Sequence, residues 1–220
     1  MKLKGKVAVV TGAGSGVGRA IAQRFAREGA KVVVSDKNID AAKETLSSIE
    51  VSGWVAFAHR ADITREEDVE HLIDAAIEHF GTFDILVNTI GMMDDTVPAA
   101  EITDERWHRV LDVNTTGMMR TIRKALPIFI KKQQGVIINI GGFANGAGFA
   151  SMASMHAVLG MTKNVGFQYG NEGIRCNAIA PEIDVELDSS GEEVAGIALF
   201  LASEDAAFVN GEVIRADASG

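Results

Sequence analysis

Residues 7–18 constrain this chain more than any other stretch. An apolar run, Val7–Thr11, leads into Gly12-Ala-Gly-Ser-Gly-Val-Gly18, where glycine stands at every second position, and a helical pattern begins at Val17. A short apolar run bounded by glycine reads as a buried strand. Glycines between a strand and a helix permit a tight turn and let the backbone approach a ligand closely. The same rhythm continues down the chain. Strand-like runs at Lys31–Ser35, Trp54–Arg60, Ile85–Asn88, Val136–Ile140, Arg175–Ile179 and Glu212–Arg215 alternate with helical patterns. The helices are expected at Val17–Glu28, Ile39–Glu50, Glu66–Phe80, Thr103–Lys132, Ala150–Gly170 and Glu192–Ser203. Short apolar strands separated by helices predict an α/β architecture, a doubly wound parallel sheet with helices on both faces.

Composition narrows the function classes. The chain has 220 residues, 47% hydrophobic and 23% charged, which suits one domain with a substantial core. Its formal net charge of -9, with no basic patch interleaved with aromatics, argues against nucleic acid as a partner. Cys176 is the single cysteine, so an internal disulfide and a cysteine-based zinc site are excluded, and a buried, inert thiol is expected. No apolar run is long enough to span a bilayer, so no membrane partner is expected. The first residues, Met1-Lys-Leu-Lys-Gly-Lys-Val7, lack a secretory apolar segment, and a cytoplasmic location is expected.

The glycine run sits where a Rossmann fold holds a pyrophosphate. The turn exposes backbone N–H groups, and the start of the following helix adds a positive dipole end. Gly12, Gly14, Ser15, Gly16, Val17 and Gly18 are therefore candidate cofactor-binding residues. Asp36 closes the second strand about 20 residues further on, where a carboxylate accepts hydrogen bonds from an adenosine ribose. A carboxylate there repels the 2′-phosphate of NADP, so NAD is expected as cofactor. Lys37 partly offsets that preference.

With these residues in hand, the chain resembles the short-chain dehydrogenase/reductase family nearly from end to end. Thr11–Gly18 looks like the family's Thr-Gly-x-x-x-Gly-x-Gly loop. Asp62, in Ala61-Asp-Ile-Thr64, resembles the acid that touches the adenine, with Ile63 beside it on the cofactor. Asn88-Thr-Ile-Gly91 resembles Asn-Asn-Ala-Gly, which places Asn88 and Gly91 at the cofactor. Asn114, in Asp112-Val-Asn-Thr-Thr-Gly117, resembles the helix Asn of the catalytic tetrad. Gly173–Pro181 resembles the run that ends in the nicotinamide-binding proline, here Pro181. Phe200-Leu-Ala-Ser203 and Asn210-Gly211 resemble the C-terminal region. The likeness is strongest to the branch with acyl-carrier-protein ketoreductases and sugar or steroid alcohol dehydrogenases. It implies hydride transfer to or from a carbonyl or alcohol carbon, and a homo-oligomer, dimer or tetramer, built through Thr103–Lys132 and Ala150–Gly170.

The residues that should move the proton are missing. In the family a Tyr acts as general acid/base, a Lys one helical turn later lowers its pKa and holds the nicotinamide ribose, and a Ser polarises the carbonyl. Alignment on Ala153-Ser154 and Gly160-Met-Thr-Lys163 puts Ser151 at the Tyr position and Met155 at the Lys position. The Ser position falls on Gly142, and only Asn114 remains. His156 lies about 140° around the helix from Ser151, a poor place for a substitute base. The chain's one tyrosine, Tyr169, reads as a packing residue. Pro181 is followed by Glu182 rather than Gly, and Glu186 holds a Thr position near the expected phosphates. The segment after Pro181 is short, so the substrate lid is expected to be much reduced. Met92, Met93, Met118, Met119, Met152 and Met155 map to the substrate side, where they form either core or a soft pocket for an apolar small molecule. Three readings stay open: an NAD(H)-binding member with impaired catalysis, an active oxidoreductase with displaced catalytic groups, and a structural or scaffold subunit.

Overall fold

The computed structural model describes residues 1–89, 91–92, 97–141, 148–181 and 190–216. Its strands are β1 (Val7–Thr11), β2 (Lys31–Asp36), β3 (Ala56–Arg60), β4 (Ile85–Asn88), β5 (Gly135–Ile140), β6 (Ile174–Pro181) and β7 (Val213–Ala216). They form one sheet in the order β3-β2-β1-β4-β5-β6-β7, with every pairing parallel. The helices between them are α1 (Gly16–Arg27), α2 (Ile39–Val51), α3 (Glu66–Phe80), α4 (Asp104–Leu111), α5 (Met118–Lys132), α6 (Phe149–Tyr169) and α7 (Ser190–Ala202).

Strand side chains alternate between the two faces, so one sheet supports two cores. Ala8, Val10, Val32, Val34, Ile85, Val87 and Ile138 join Ile21 and Phe25 of α1, Ile49 of α2 and Leu199 of α7. Val9, Val33, Leu86, Ile137 and Cys176 join Leu72 of α3, Phe129 of α5 and Val165 of α6. Burial on both faces explains why β1 and β4 are apolar at nearly every position. Phe25 and Phe129 anchor the two layers, each fully buried and each contributing roughly 1.5–3 kcal/mol.

Two expected elements need correction. The third strand begins at Ala56, not Trp54. Gly53 has φ +80, and the Trp54 N–H donates to the Ile49 carbonyl at 3.3 Å, so Trp54 belongs to the turn that ends α2. The helical pattern Thr103–Lys132 is not one helix. Thr103 caps α4 by accepting from the Arg106 N–H at 3.2 Å, and a π-helical turn over Asp112–Gly117 then joins α4 to α5. Gly117 ends that turn against Ile63, where a Cβ would fall 2.6 Å from Ile63 Cδ1. Single π turns of this kind often mark functional positions.

β1 pairs with β2 on one side and β4 on the other, so the winding direction reverses between β1 and β4. Loops leaving their C-terminal ends diverge to opposite faces and open a crevice, the usual ligand position in such sheets.

Candidate functional site at the switch point

A cleft of about 670 Å³ occupies that crevice, within the range of small-molecule sites. Its wall includes Gly12 and Ser15 after β1, Asp36 and Lys37 after β2, and Ala61–Thr64 after β3. Thr89, Gly91 and Met92 follow β4, and Arg109, Asp112 and Val113 close the far side. The expected residues Gly12, Ser15, Asp36, Asp62, Ile63 and Gly91 therefore meet in one place. A smaller cavity of about 290 Å³ lies at the opposite, N-terminal ends of the strands, beside Lys6, Asp84 and Arg175, away from all of these residues.

Geometry at the glycine loop is specific. Gly12 and Gly16 have φ +62 and +51, a region that side chains disfavour. A Cβ on Gly18 would fall 2.2 Å from the Gly12 carbonyl oxygen and 2.6 Å from Thr89 Oγ1, so glycine lets α1 sit directly on the turn. The start of α1 is left open. Ser15 makes no side-chain cap and the first turn carries no acid. By contrast, Asn38 and Thr103 cap α2 and α4, and α2, α3 and α4 all have acids in their first turns. The leading N–H groups of α1, at Gly16, Val17 and Gly18, have no intrahelical acceptor. With Ser15 and Gly16 exposed beside the cleft, this arrangement suits an anion.

Two carboxylates line the other side. Asp36 accepts from the Gly14 N–H at 3.0 Å through Oδ2 and from the Asn38 N–H at 2.9 Å through Oδ1. Each oxygen keeps a second lone pair for a hydroxyl donor. Burial alone would raise the Asp62 carboxyl. The Thr64 hydroxyl and backbone N–H, at 2.7 and 3.0 Å from Oδ1, with the Lys37 and Arg60 charges, outweigh that and hold it below the ordinary Asp value. Asp62 is an anion at neutral pH.

Asn88, Asn114 and Pro181 do not line the cleft. Asn88 is fully buried, accepts from Thr121 Oγ1 at 2.8 Å and donates to Asn139 Oδ1 at 2.9 Å. Asn139 donates in turn to Thr162 Oγ1 at 3.0 Å, so this polar chain ties α5, β4, β5 and α6 together. Asn88 thus spends its side chain on the fold. Pro181 ends β6, buried. Asn114 lies in the π turn, where its Oδ1 accepts from the Met92 N–H at 2.6 Å. Its Nδ2 donates to the Met92 carbonyl and to Ser154 Oγ, both at 2.9 Å. Both Nδ2 protons are used, and Met92 is clamped at both backbone groups. Gly142, Ile90, Met93, Glu182 and Glu186 lie outside the described residues.

Ser151 and Met155, one turn apart, share the buried face of α6. Ser151 is 0% exposed and donates to the Met92 carbonyl at 3.3 Å. Met155 is 5% exposed, with its sulfur so close to Gly141 that a Cβ there would sit 3.2 Å away. Met118 is also buried, and among the described methionines Met92 lines the cleft. His156 is on the exposed side of α6, as helix periodicity requires, with Nδ1 2.9 Å from the Met152 carbonyl. Tyr169 packs against the second core. Cys176 is fully buried, and burial pushes its thiol up to about 12. A thiolate reagent at pH 8 is therefore expected to label the native chain at least ~10²-fold more slowly than the urea-unfolded chain, since the thiol must ionise to react. Equal rates would contradict that burial.

Thr64, Thr89, Arg109, Asp112 and Val113 on the cleft wall were not anticipated from the sequence. Asp112 and Val113 directly precede Asn114, and that adjacency could have indicated them. Thr64 and Thr89 likewise directly follow Ile63 and Asn88, and nothing local marks Arg109.

The comparisons with known proteins agree with this geometry. The sequence profile described as "short chain dehydrogenase" matches residues 6–190. The chain is 37% identical to 3beta-hydroxysteroid dehydrogenase 2 of Eggerthella lenta, covering 98% of this chain and 94% of that protein. It is 34% identical to glucose 1-dehydrogenase 2 of Bacillus subtilis, with coverages of 98% and 94%. Both alignments, over 245 and 243 positions, are longer than the 220 residues here, so these relatives carry segments without a counterpart in this chain. The crystal structure of a hydroxysteroid dehydrogenase from Escherichia coli superposes with a TM-score of 0.90 at 34% identity, covering 100% of this chain and 98% of that one. The protein belongs to the short-chain dehydrogenase/reductase family.

Proposed function

We propose that the protein binds NAD(H) through the adenosine and diphosphate half of the cleft, and that it performs hydride transfer poorly or not at all. One contrast carries this reading. The glycine loop, Asp36 and Asp62 form an open wall suited to a dinucleotide, while the Tyr and Lys positions hold Ser151 and Met155, both buried in α6. The loop N–H groups would hold the diphosphate, Asp36 the adenosine ribose, and Asp62 and Ile63 the adenine. A bound nicotinamide supplies hydride chemistry. The chain offers no phenol or ammonium at the matching helix positions to move the accompanying proton, and Met155 cannot hold the nicotinamide ribose as a Lys would. Residues 182–189 alone separate β6 from α7, which supports a reduced lid over the nicotinamide.

The test is a pair of calorimetric titrations. NADH is expected to bind at least ~10-fold more tightly than NADPH, because a 2′-phosphate near the Asp36 carboxylate costs about 1–4 kcal/mol at contact distance. Asp36→Asn is expected to narrow the ratio to within about threefold, and Lys37→Ala to widen it. NADPH binding as tightly as NADH would contradict the assignment.

A second reading, an active oxidoreductase for an alcohol or carbonyl substrate, is favoured by the dehydrogenase activities named for the relatives. It requires a proton-transfer group from elsewhere, and His156 faces away from Ser151. Self-association through α6 is supported by Phe149 and Phe167, which are 48% and 89% exposed on that helix.

A further inference from the structure

The cleft wall is only the front of the glycine loop. Behind it, the Ala13 and Gly14 carbonyls, on the approach to the open N–H groups, are held by side chains outside the cleft. Thr45 of α2 is 1% exposed, and its hydroxyl donates to the Ala13 carbonyl at 2.9 Å. Arg19 of α1 donates through Nε to Thr45 Oγ1 at 3.0 Å and through Nη2 to the Gly14 carbonyl at 2.5 Å. Glu44 Oε2, 3.2 Å from the same Nη2, completes the cluster. The N–H groups of this dipeptide are also held, Ala13 on the Ser35 carbonyl at 2.9 Å and Gly14 on Asp36 Oδ2.

In a trans peptide the C=O and the next N–H point in opposite directions. Pinning the Ala13 carbonyl toward α2 therefore turns the Gly14 N–H toward Asp36. Pinning the Gly14 carbonyl toward Arg19 turns the Ser15 N–H the other way, toward the cleft wall that Ser15 forms. We propose that Thr45 and Arg19 are positioning residues for the diphosphate. They form a brace on the back of the loop that orders its N–H groups before ligand arrives, and neither residue is on the cleft wall. The inference rests on the dinucleotide reading. It divides the loop in two: Ala13 and Gly14 serve the brace, and Ser15 to Gly18 face the ligand. Preorganisation of this kind raises affinity by removing the ordering cost at binding.

The test compares ligands with and without phosphates on the full chain. Thr45→Val keeps the shape and deletes the hydroxyl; Thr45→Ser keeps the hydroxyl. NADH and ADP-ribose are titrated calorimetrically, and adenosine by equilibrium dialysis, with thermal midpoints measured alongside. Thr45→Val is expected to weaken NADH and ADP-ribose about three- to tenfold, in line with one net hydrogen bond, and to leave adenosine within about twofold. Thr45→Ser restores the unmutated values. Arg19→Gln, on the half-exposed surface of α1, is expected to show the same phosphate-selective loss and serves if Thr45→Val does not fold. Equal loss for all three ligands, or loss for none, overturns the brace while dinucleotide binding stands. No binding of NADH or ADP-ribose by the unmutated chain overturns the dinucleotide reading, and the brace with it.

Discussion

Assayed with NAD over a panel of alcohols and with NADH over the matching ketones, the protein is expected to turn over ~10²–10⁴-fold more slowly than a family member with an intact proton donor. The reason lies in α6. Alcohol oxidation must shed a hydroxyl proton as the hydride leaves, and ketone reduction must supply one. A phenol with a cation one turn away serves both directions. Ser151 has a shorter side chain, a less acidic hydroxyl and no exposure, and its hydroxyl donates to the Met92 carbonyl at 3.3 Å. Met155 offers no charge to stabilise an alkoxide, and its sulfur packs against Gly141 at the end of β5. Asn114 cannot compensate, because Met92 and Ser154 take both of its Nδ2 protons. Any residual rate should come from proximity and should not change in Ser151→Ala. A rate in the normal range that disappears in Ser151→Ala or His156→Ala would restore the active-oxidoreductase reading.

Gly18→Ala is expected to cost about 3 kcal/mol of stability, at the upper end for overpacking, and to lower the thermal midpoint by roughly 6–12 °C. The added methyl would meet the Gly12 carbonyl at 2.2 Å, a contact with backbone that no rotamer change relieves. Its other neighbour, Thr89 Oγ1, donates to the Thr11 carbonyl, so it cannot swing away without releasing the link between the ends of β1 and β4. Relief must come from moving α1 off the turn, which displaces the open N–H groups at the start of that helix. NADH affinity should therefore fall at least ~10-fold together with stability. Gly196→Ala in α7 is the control. A Cβ there meets nothing within 4 Å, and the change should be neutral or stabilise the helix by up to about 1 kcal/mol. Differential scanning calorimetry on both variants decides the point, and an unchanged midpoint in Gly18→Ala would show that the loop yields more easily than its contacts imply.

Elements fixed by local chemistry could be read directly from the sequence. β1, β2 and β4 are apolar runs because both faces are covered, and the glycine loop and Asp36 announce themselves by residue type and spacing. The π turn at Asp112–Gly117 could not be read this way. It inserts one residue into the helical pattern, and Gly117 packs it against Ile63 from another part of the chain. Trp54 looked like strand because it is large and apolar, but glycine at 53 keeps it in the turn. The fate of Asn88 was hidden for a related reason. Its partners Thr121 and Asn139 are 33 and 51 residues away, so nothing nearby signals that its side chain belongs to the core. The brace on Ala13 likewise comes from Thr45, 32 residues on. Ser151 and Met155 were legible only as residue identities at motif positions. Their burial, and the clamp on Met92, required the packed helix.

Dinucleotide affinity is expected to reside in the adenosine and diphosphate half of the cleft. The most direct measurement is calorimetric titration of the unmutated protein with NADH and, separately, with ADP-ribose, which lacks the nicotinamide. Both are expected to bind, with dissociation constants within about threefold of each other, a difference below ~0.7 kcal/mol. No heat from either ligand at millimolar concentration, or NADH binding far more tightly than ADP-ribose, would contradict the account.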